Sequence, residues 1–111
     1  MLEDKWNAYA KSWSQPDADR DAMLATLVAR DVTYTDPGSQ ISGRDAFSAH
    51  IAQFQKDLPG ANFEIIEVKG HHDKTLARWK LVGQDGKEMM QGTSYATLTK
   101  NGLFASFAGF Y

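Results

Sequence analysis

The segment Val32-Thr33-Tyr34-Thr35-Asp36-Pro37-Gly38 switches the chain from a helical to an extended hydrophobic period, and the other elements fall on either side of it. Val32 and Tyr34 alternate with threonines, as a half-buried strand does, and Pro37-Gly38 ends the run in a turn. Side chains at i, i+2 and i+4 of a strand share one face. With Val32 and Tyr34 turned inward, Asp36 is therefore carried to the inner face as well.

Upstream, Leu2, Trp6, Tyr9 and Trp13 are spaced four, three and four residues apart, which predicts an aromatic-faced helix over 2–14. Ser14-Gln15-Pro16-Asp17 breaks it. Asp17 or Asp19 is placed to cap a second helix, whose stripe is Met23, Leu24, Leu27 and Val28 before Asp31. Downstream, Ser42-Gly43-Arg44-Asp45 reads as a capping box, and Phe47, Ile51, Phe54 and Leu58 form the stripe of a third helix that stops at Pro59-Gly60. From Phe63 onward the pattern is extended, with strands expected at 63–70, 75–83, 87–99 and 103–111. The turns between them are His71-His72-Asp73, Gln84-Asp85-Gly86 and Lys100-Asn101-Gly102, the last two being good hairpin signals. Three helices followed by a curved antiparallel meander predict an α+β domain with its helices packed on one sheet face.

The 111 residues suit one domain spanning 1–111, with no internal repeat or linker. Apolar residues at 42% and charged residues at 23% exclude the composition of a disordered chain. A net charge of −2, with Lys and Arg scattered, supplies no basic stripe for nucleic acid or an anionic membrane. Without cysteine there is no disulfide, thiolate metal site or Cys nucleophile. The run MLEDKWNAYAKSW lacks a signal-like apolar core, and no stretch reaches the roughly 18 apolar residues of a membrane span, so a cytoplasmic protein is expected.

Asp36 is the first candidate for chemistry. A carboxylate enclosed by apolar surface is desolvated, which moves it toward the range where proton transfer is efficient. The competing role is structural, since Asp also starts Asp-Pro-Gly turns by accepting backbone hydrogen bonds, and one aspartate can do both. Tyr9, on the inner stripe of the first helix, is placed either to donate to an oxyanion or to sit in the core. Trp13, Tyr34, Phe47, Phe54, Trp79, Met90, Phe107 and Tyr111 are candidate walls of a ligand pocket or plain core; only an unfilled cavity separates the two. His50, His71, His72 and Asp73 lack metal-ligand spacing, so no metal site is expected. There is no phosphate-cradling glycine loop and no nucleophile elbow.

Taken in order, the tryptophan-ended first helix, Asp31-Val32-Thr33-Tyr34-Thr35-Asp36-Pro37, Gly43-Arg44-Asp45-Ala46-Phe47 and Leu58-Pro59-Gly60 resemble a known pattern. His71-His72-Asp73 before Ala77-Arg78-Trp79, the Gly92 strand, and Asn101-Gly102-Leu103 leading to Phe110-Tyr111 continue it. The chain resembles SnoaL-like members of the nuclear-transport-factor-2-like superfamily, which also contains ketosteroid isomerases and polyketide cyclases. That resemblance implies a cone-shaped α+β fold, a strongly bent, mainly antiparallel sheet with a pocket open at one end, and a homodimer formed through the sheet. It places the general base at Asp36 and an oxyanion donor at Tyr9. The second donor, a protonated aspartic acid in ketosteroid isomerases, falls on Ser94, with Thr93 as the register alternative.

The expected ligand is a small apolar molecule with a carbonyl or hydroxyl, acted on by isomerisation or aldol-type cyclisation without cofactor. The alternative is a non-catalytic ligand-binding or dimeric interaction module.

Overall fold

In a computed structural model, which describes residues 2–111, the helical stripes pack against one six-stranded sheet. The elements are α1 (Leu2–Ser12), α2 (Asp17–Leu27), β1 (Val28–Asp36), β2 (Ser39–Ser42), α3 (Arg44–Asp57), β3 (Asn62–His71), β4 (Lys74–Val82), β5 (Glu88–Leu98) and β6 (Phe104–Phe110). The sheet order is β2-β1-β6-β5-β4-β3. Strands β3 to β6 form the expected meander, and β6 closes it by lying parallel to β1, with Tyr34 opposite Phe107 and Thr35 opposite Ala108. Register shifts between Ile65 and Glu67, between Leu81 and Val82, and between Thr97 and Leu98 mark points where strands bend. No described helix is long and apolar enough to cross a membrane.

Four local expectations are corrected. Helix α1 stops at Ser12, and Trp13 and Ser14 form a tighter turn, with the Trp13 N–H donating to the Ala10 carbonyl at 3.2 Å. Helix α2 is preceded by Pro16 at its N-cap, so Asp17 and Asp19 fall in the first turn, where their charges favour the positive end of the helix dipole. Val28 begins β1 rather than ending α2: it is extended and fully buried opposite Phe104, and an apolar residue at an element boundary fits either period. The capping box does not form, because Ser42 still belongs to β2, paired with Thr33, and Gly43 takes the N-cap at a φ of 95°. Strand β2 itself has no apolar alternation to announce it; Pro37-Gly38 simply folds the chain back along β1.

Aromatic rings hold α1 on the sheet. Trp6 meets Phe104 edge-on at 5.0 Å, and Tyr9 stacks on Phe107 at 4.3 Å. Each such buried side chain is worth about 1.5–3 kcal/mol of burial. The Trp6 Nε1–H donates to Thr75 Oγ1 at 3.2 Å, and that hydroxyl donates to the Ala96 carbonyl, so the helix is also tethered by satisfied polar groups. Arg20, only 2% exposed, links α2 to α3 by donating to Ser48 Oγ at 2.9 Å and to Asp17 Oδ1 at 2.8 Å. Gln55 of α3 donates to the carbonyls of Trp13 at 2.9 Å and Gln15 at 2.8 Å, tying down the turn that follows α1 and fixing the backbone that carries Trp13.

Candidate functional site

Strand parity puts Tyr34 and Asp36 on the same face of β1, and their side chains meet: the Tyr34 hydroxyl donates to Asp36 Oδ2 at 2.8 Å. The Gly38 N–H donates to Oδ1 at 3.0 Å, so the aspartate does start the turn. It is also inward, since its side chain is 7% exposed. His50 of α3 brings Nε2 to 4.0 Å from the same Oδ2. The carboxylate lies on the wall of a pocket of about 380 Å³ between the helices and the sheet.

The pocket is walled by rings that brace one another. Trp13 meets Phe54 at 5.2 Å and Phe63 at 5.3 Å, and Phe63 meets Trp79 edge-on at 5.1 Å. Trp79 lies flat across Gly92 of the neighbouring strand, where an added Cβ would come within 2.3 Å of Cζ2. Its Nε1–H donates to Ser94 Oγ at 3.0 Å, which leaves the Ser94 hydroxyl proton free for another acceptor. Gly109, opposite Ser94 on β6, leaves open the space between the two functional groups: a Cβ there would lie 3.6 Å from Asp36 Cβ and 3.7 Å from Ser94 Oγ.

Asp36, Tyr9, Trp13, Tyr34, Phe54 and Trp79 all line this space, as do Met90, Ser94 and Tyr111. Ser94, and not Thr93, is the inward residue, because Thr93 pairs with Phe110 on the opposite face. Phe47 and Phe107 do not line it. They are 0% and 3% exposed and pack with Tyr9 in the solid part of the core, so for them the core reading is the correct one.

Sequence reading missed Trp6, His50, Gln53, Asp57, Phe63 and Ile65 as lining residues. The signal for the three polar ones lies on α3, where His50, Gln53, Phe54 and Asp57 recur at i, i+3, i+4 and i+7, shifted from the apolar stripe by one position. His71, His72 and Asp73 sit exposed at the β3–β4 turn, outside the pocket.

Burial pushes the phenols of Tyr9 and Tyr34 well above their ordinary value of 10.0. For Tyr34, the nearby Tyr9 and the hydrogen bond to Asp36 add to the shift; for Tyr9, the Asp36 charge adds and the Trp13 side chain opposes. Tyr111 is raised too, by burial and then by Asp36. Protonated phenols thus surround the carboxylate through the physiological range.

These shifts set the sign of an alkaline effect. The unfolded chain loses its tyrosine protons near 10 while the folded chain retains them, so folded stability is full below that value and falls as pH rises beyond it. Tryptophan fluorescence and tyrosinate absorbance are expected to change together in one alkaline unfolding step. Ionisation of all four tyrosines near pH 10 in a chain that stays folded would contradict the burial of these phenols.

A family model for the SnoaL-like domain matches residues 6–107. No curated protein matches the sequence. A structure from Agrobacterium tumefaciens designated an isomerase of the SnoaL-like family is 25% identical, with a TM-score of 0.90 over 96% of this chain and 92% of that one. A Sinorhizobium meliloti structure designated a polyketide cyclase is 23% identical, with a TM-score of 0.77 over 96% and 93% of the two chains. A Kribbella flavida structure designated a ketosteroid isomerase is 19% identical, with a TM-score of 0.71 over 96% and 73%. The last two show a shared fold. Because the family model runs from Trp6 to Phe107, taking in most of α1, all of α2 and α3, Asp36 and nearly all of the sheet, the chain belongs to the SnoaL-like domain family.

Proposed function

We propose that the pocket binds a small, mostly apolar molecule with a carbonyl or hydroxyl, and that Asp36 moves a proton on it in an isomerisation or aldol-type cyclisation. The observation that carries this reading is the Asp36 carboxylate itself: 7% exposed, oriented by Tyr34 and Gly38, and facing an aromatic hollow of about 380 Å³. A solid interior would have favoured an interaction module; the hollow favours a ligand.

The chemistry follows from the groups present. Asp36 takes a proton from the carbon beside the carbonyl, and the C–H electron pair moves onto the carbonyl oxygen as an enolate. Tyr9, whose phenol keeps its proton, and Ser94, whose hydroxyl is released by accepting from Trp79, stabilise that oxygen. Asp36 then returns the proton to a different carbon, or the enolate carbon attacks a second carbonyl, closing a ring, and the alkoxide formed as that C=O π bond breaks takes the proton back from Asp36. Neither step requires a metal or an organic cofactor.

The enolisation half-reaction is testable on a generic ketone. With 2-tetralone in D₂O, the protein is expected to accelerate loss of the α-proton signal by NMR over buffer alone. Exchange at the buffer rate, with the ketone demonstrably bound, would leave a binding protein and refute the base.

We also propose a homodimer through the outer sheet face, where Leu76 lies opposite Tyr95, Tyr95 opposite Ala108 and Thr93 opposite Phe110. Phe110 is 62% exposed there, an apolar cost that a second copy would remove. Light scattering at micromolar concentration is expected to give twice the chain mass, and Tyr95→Glu to halve it. A monomeric mass for the unaltered chain would contradict this.

A further inference from the structure

Enolisation by Asp36, Tyr9 and Ser94 leaves one acid-base group of the pocket wall without a task. His50 of α3 lines the same space as Asp36, and its side chain is 26% exposed. Rings set its imidazole: Trp13 meets it edge-on at 6.0 Å, and Tyr34 lies against it at 5.3 Å. Nε2 stands 4.0 Å from Asp36 Oδ2, too far for a hydrogen bond. Imidazole and carboxylate thus border the pocket side by side, with a gap between them.

A general acid and a general base each work at about 2.6–3.2 Å from the atom they serve. With the two groups 4.0 Å apart on one wall, their targets are neighbours on one face of a ligand, as the α-hydrogen and the β-oxygen of a β-hydroxy ketone are. Aldol-type closure leaves a hydroxyl at that β-position.

We propose that His50 is the acid of a second activity of this site, the dehydration of β-hydroxy ketones to enones. Asp36 takes the α-proton, and the C–H electron pair moves onto the carbonyl oxygen. As that pair returns, the C=C bond forms and the β C–O bond breaks. The departing oxygen takes the Nε2 proton of the His50 imidazolium, and water leaves. Asp36 is then a carboxylic acid and His50 a neutral imidazole. One water making two hydrogen bonds of about 2.8 Å spans the gap between them, so the product water can carry the proton from Asp36 back to His50 and restore the pair. This inference rests on Asp36 as the base and adds β-hydroxy ketones to the substrate class.

Two β-substituted ketones separate the acid from the base. The leaving oxygen of 4-hydroxy-4-phenylbutan-2-one must be protonated, whereas 4-(4-nitrophenoxy)butan-2-one expels a stable phenolate without help. Both eliminations are followed by absorbance near neutral pH, with the full chain and with His50→Gln. The unaltered chain is expected to accelerate both over buffer. In His50→Gln, loss of water should slow by about 10²-fold or more, while loss of nitrophenolate slows by less than about tenfold. The second rate also reports that the variant is folded with its base in place. Equal slowing of the two, or release of nitrophenolate but not of water by the unaltered chain, overturns the acid assignment and leaves Asp36 as the base. Elimination from neither ketone while 2-tetralone still exchanges overturns it as well. Elimination from neither, with 2-tetralone exchanging at the buffer rate, removes the base and this inference together.

Discussion

Asp36→Asn slows protein-catalysed α-proton exchange of 2-tetralone by about 10²–10⁴-fold, the usual worth of a positioned general base. The substitution keeps the shape of the side chain. An amide oxygen can still accept from the Gly38 N–H or from the Tyr34 hydroxyl, the two donors that hold the native group at 3.0 and 2.8 Å. It lacks the basicity to take a proton from carbon. One native hydrogen bond is compromised, which costs about 1 kcal/mol of stability, so the variant folds and its melting curve stays close to the parent's. Measured together, exchange rate and melting temperature separate chemistry from folding: a rate loss without a matching loss of fold is the expected pattern. An unchanged exchange rate in Asp36→Asn would move the base elsewhere.

Gly92→Ala is expected to destabilise the protein by about 3 kcal/mol, at the upper end of what an overpacked methyl costs. The new Cβ would lie 2.3 Å from Trp79 Cζ2 and 2.5 Å from Cη2, and Trp79 is not free to yield. Its indole is pinned by Phe63 at 5.1 Å on one side and by the hydrogen bond to Ser94 on the other. Any displacement large enough to relieve the clash breaks that hydrogen bond and pushes the ring toward the pocket. The same variant should therefore lose ligand affinity as well as stability. Urea denaturation followed by tryptophan fluorescence reads the first effect, and probe titration reads the second. A variant as stable as the parent would show that Trp79 does not lie across β5 as described.

The period-two alternation of Val32, Tyr34 and Asp36 was enough to place the carboxylate, because strand parity leaves no freedom about which face a side chain takes. Parity likewise decided between Ser94 and Thr93 once the pairing of β5 with β6 was known. Other features depend on distant partners. Val28 looks the same at the end of a helical stripe as at the start of a buried strand, and only its pairing with Phe104 distinguishes them. The parallel contact of β1 with β6 joins segments some seventy residues apart and leaves no local trace.

Within the site, Phe47 and Phe107 carry the same signal as Trp13 and Phe54; wall and core differ only in whether space remains beside the ring. His50 and Asp57 were not read as wall residues for another reason. On a helix whose apolar stripe faces the core, flanking polar residues ordinarily face water, and here one flank also borders a hollow, with His50 half-buried and Asp57 still exposed.

Everything functional depends on an apolar ligand entering beside Asp36. Carbon-detected NMR of protein with isotope-labelled aspartate, titrated with 2-tetralone, observes that event at the atom concerned. The prediction is a saturable shift of the Asp36 carboxyl resonance, matched by the Trp79 indole N–H, while the exposed Asp73 at the β3–β4 turn stays fixed. A ketone that saturates the protein without moving the Asp36 resonance would contradict the account.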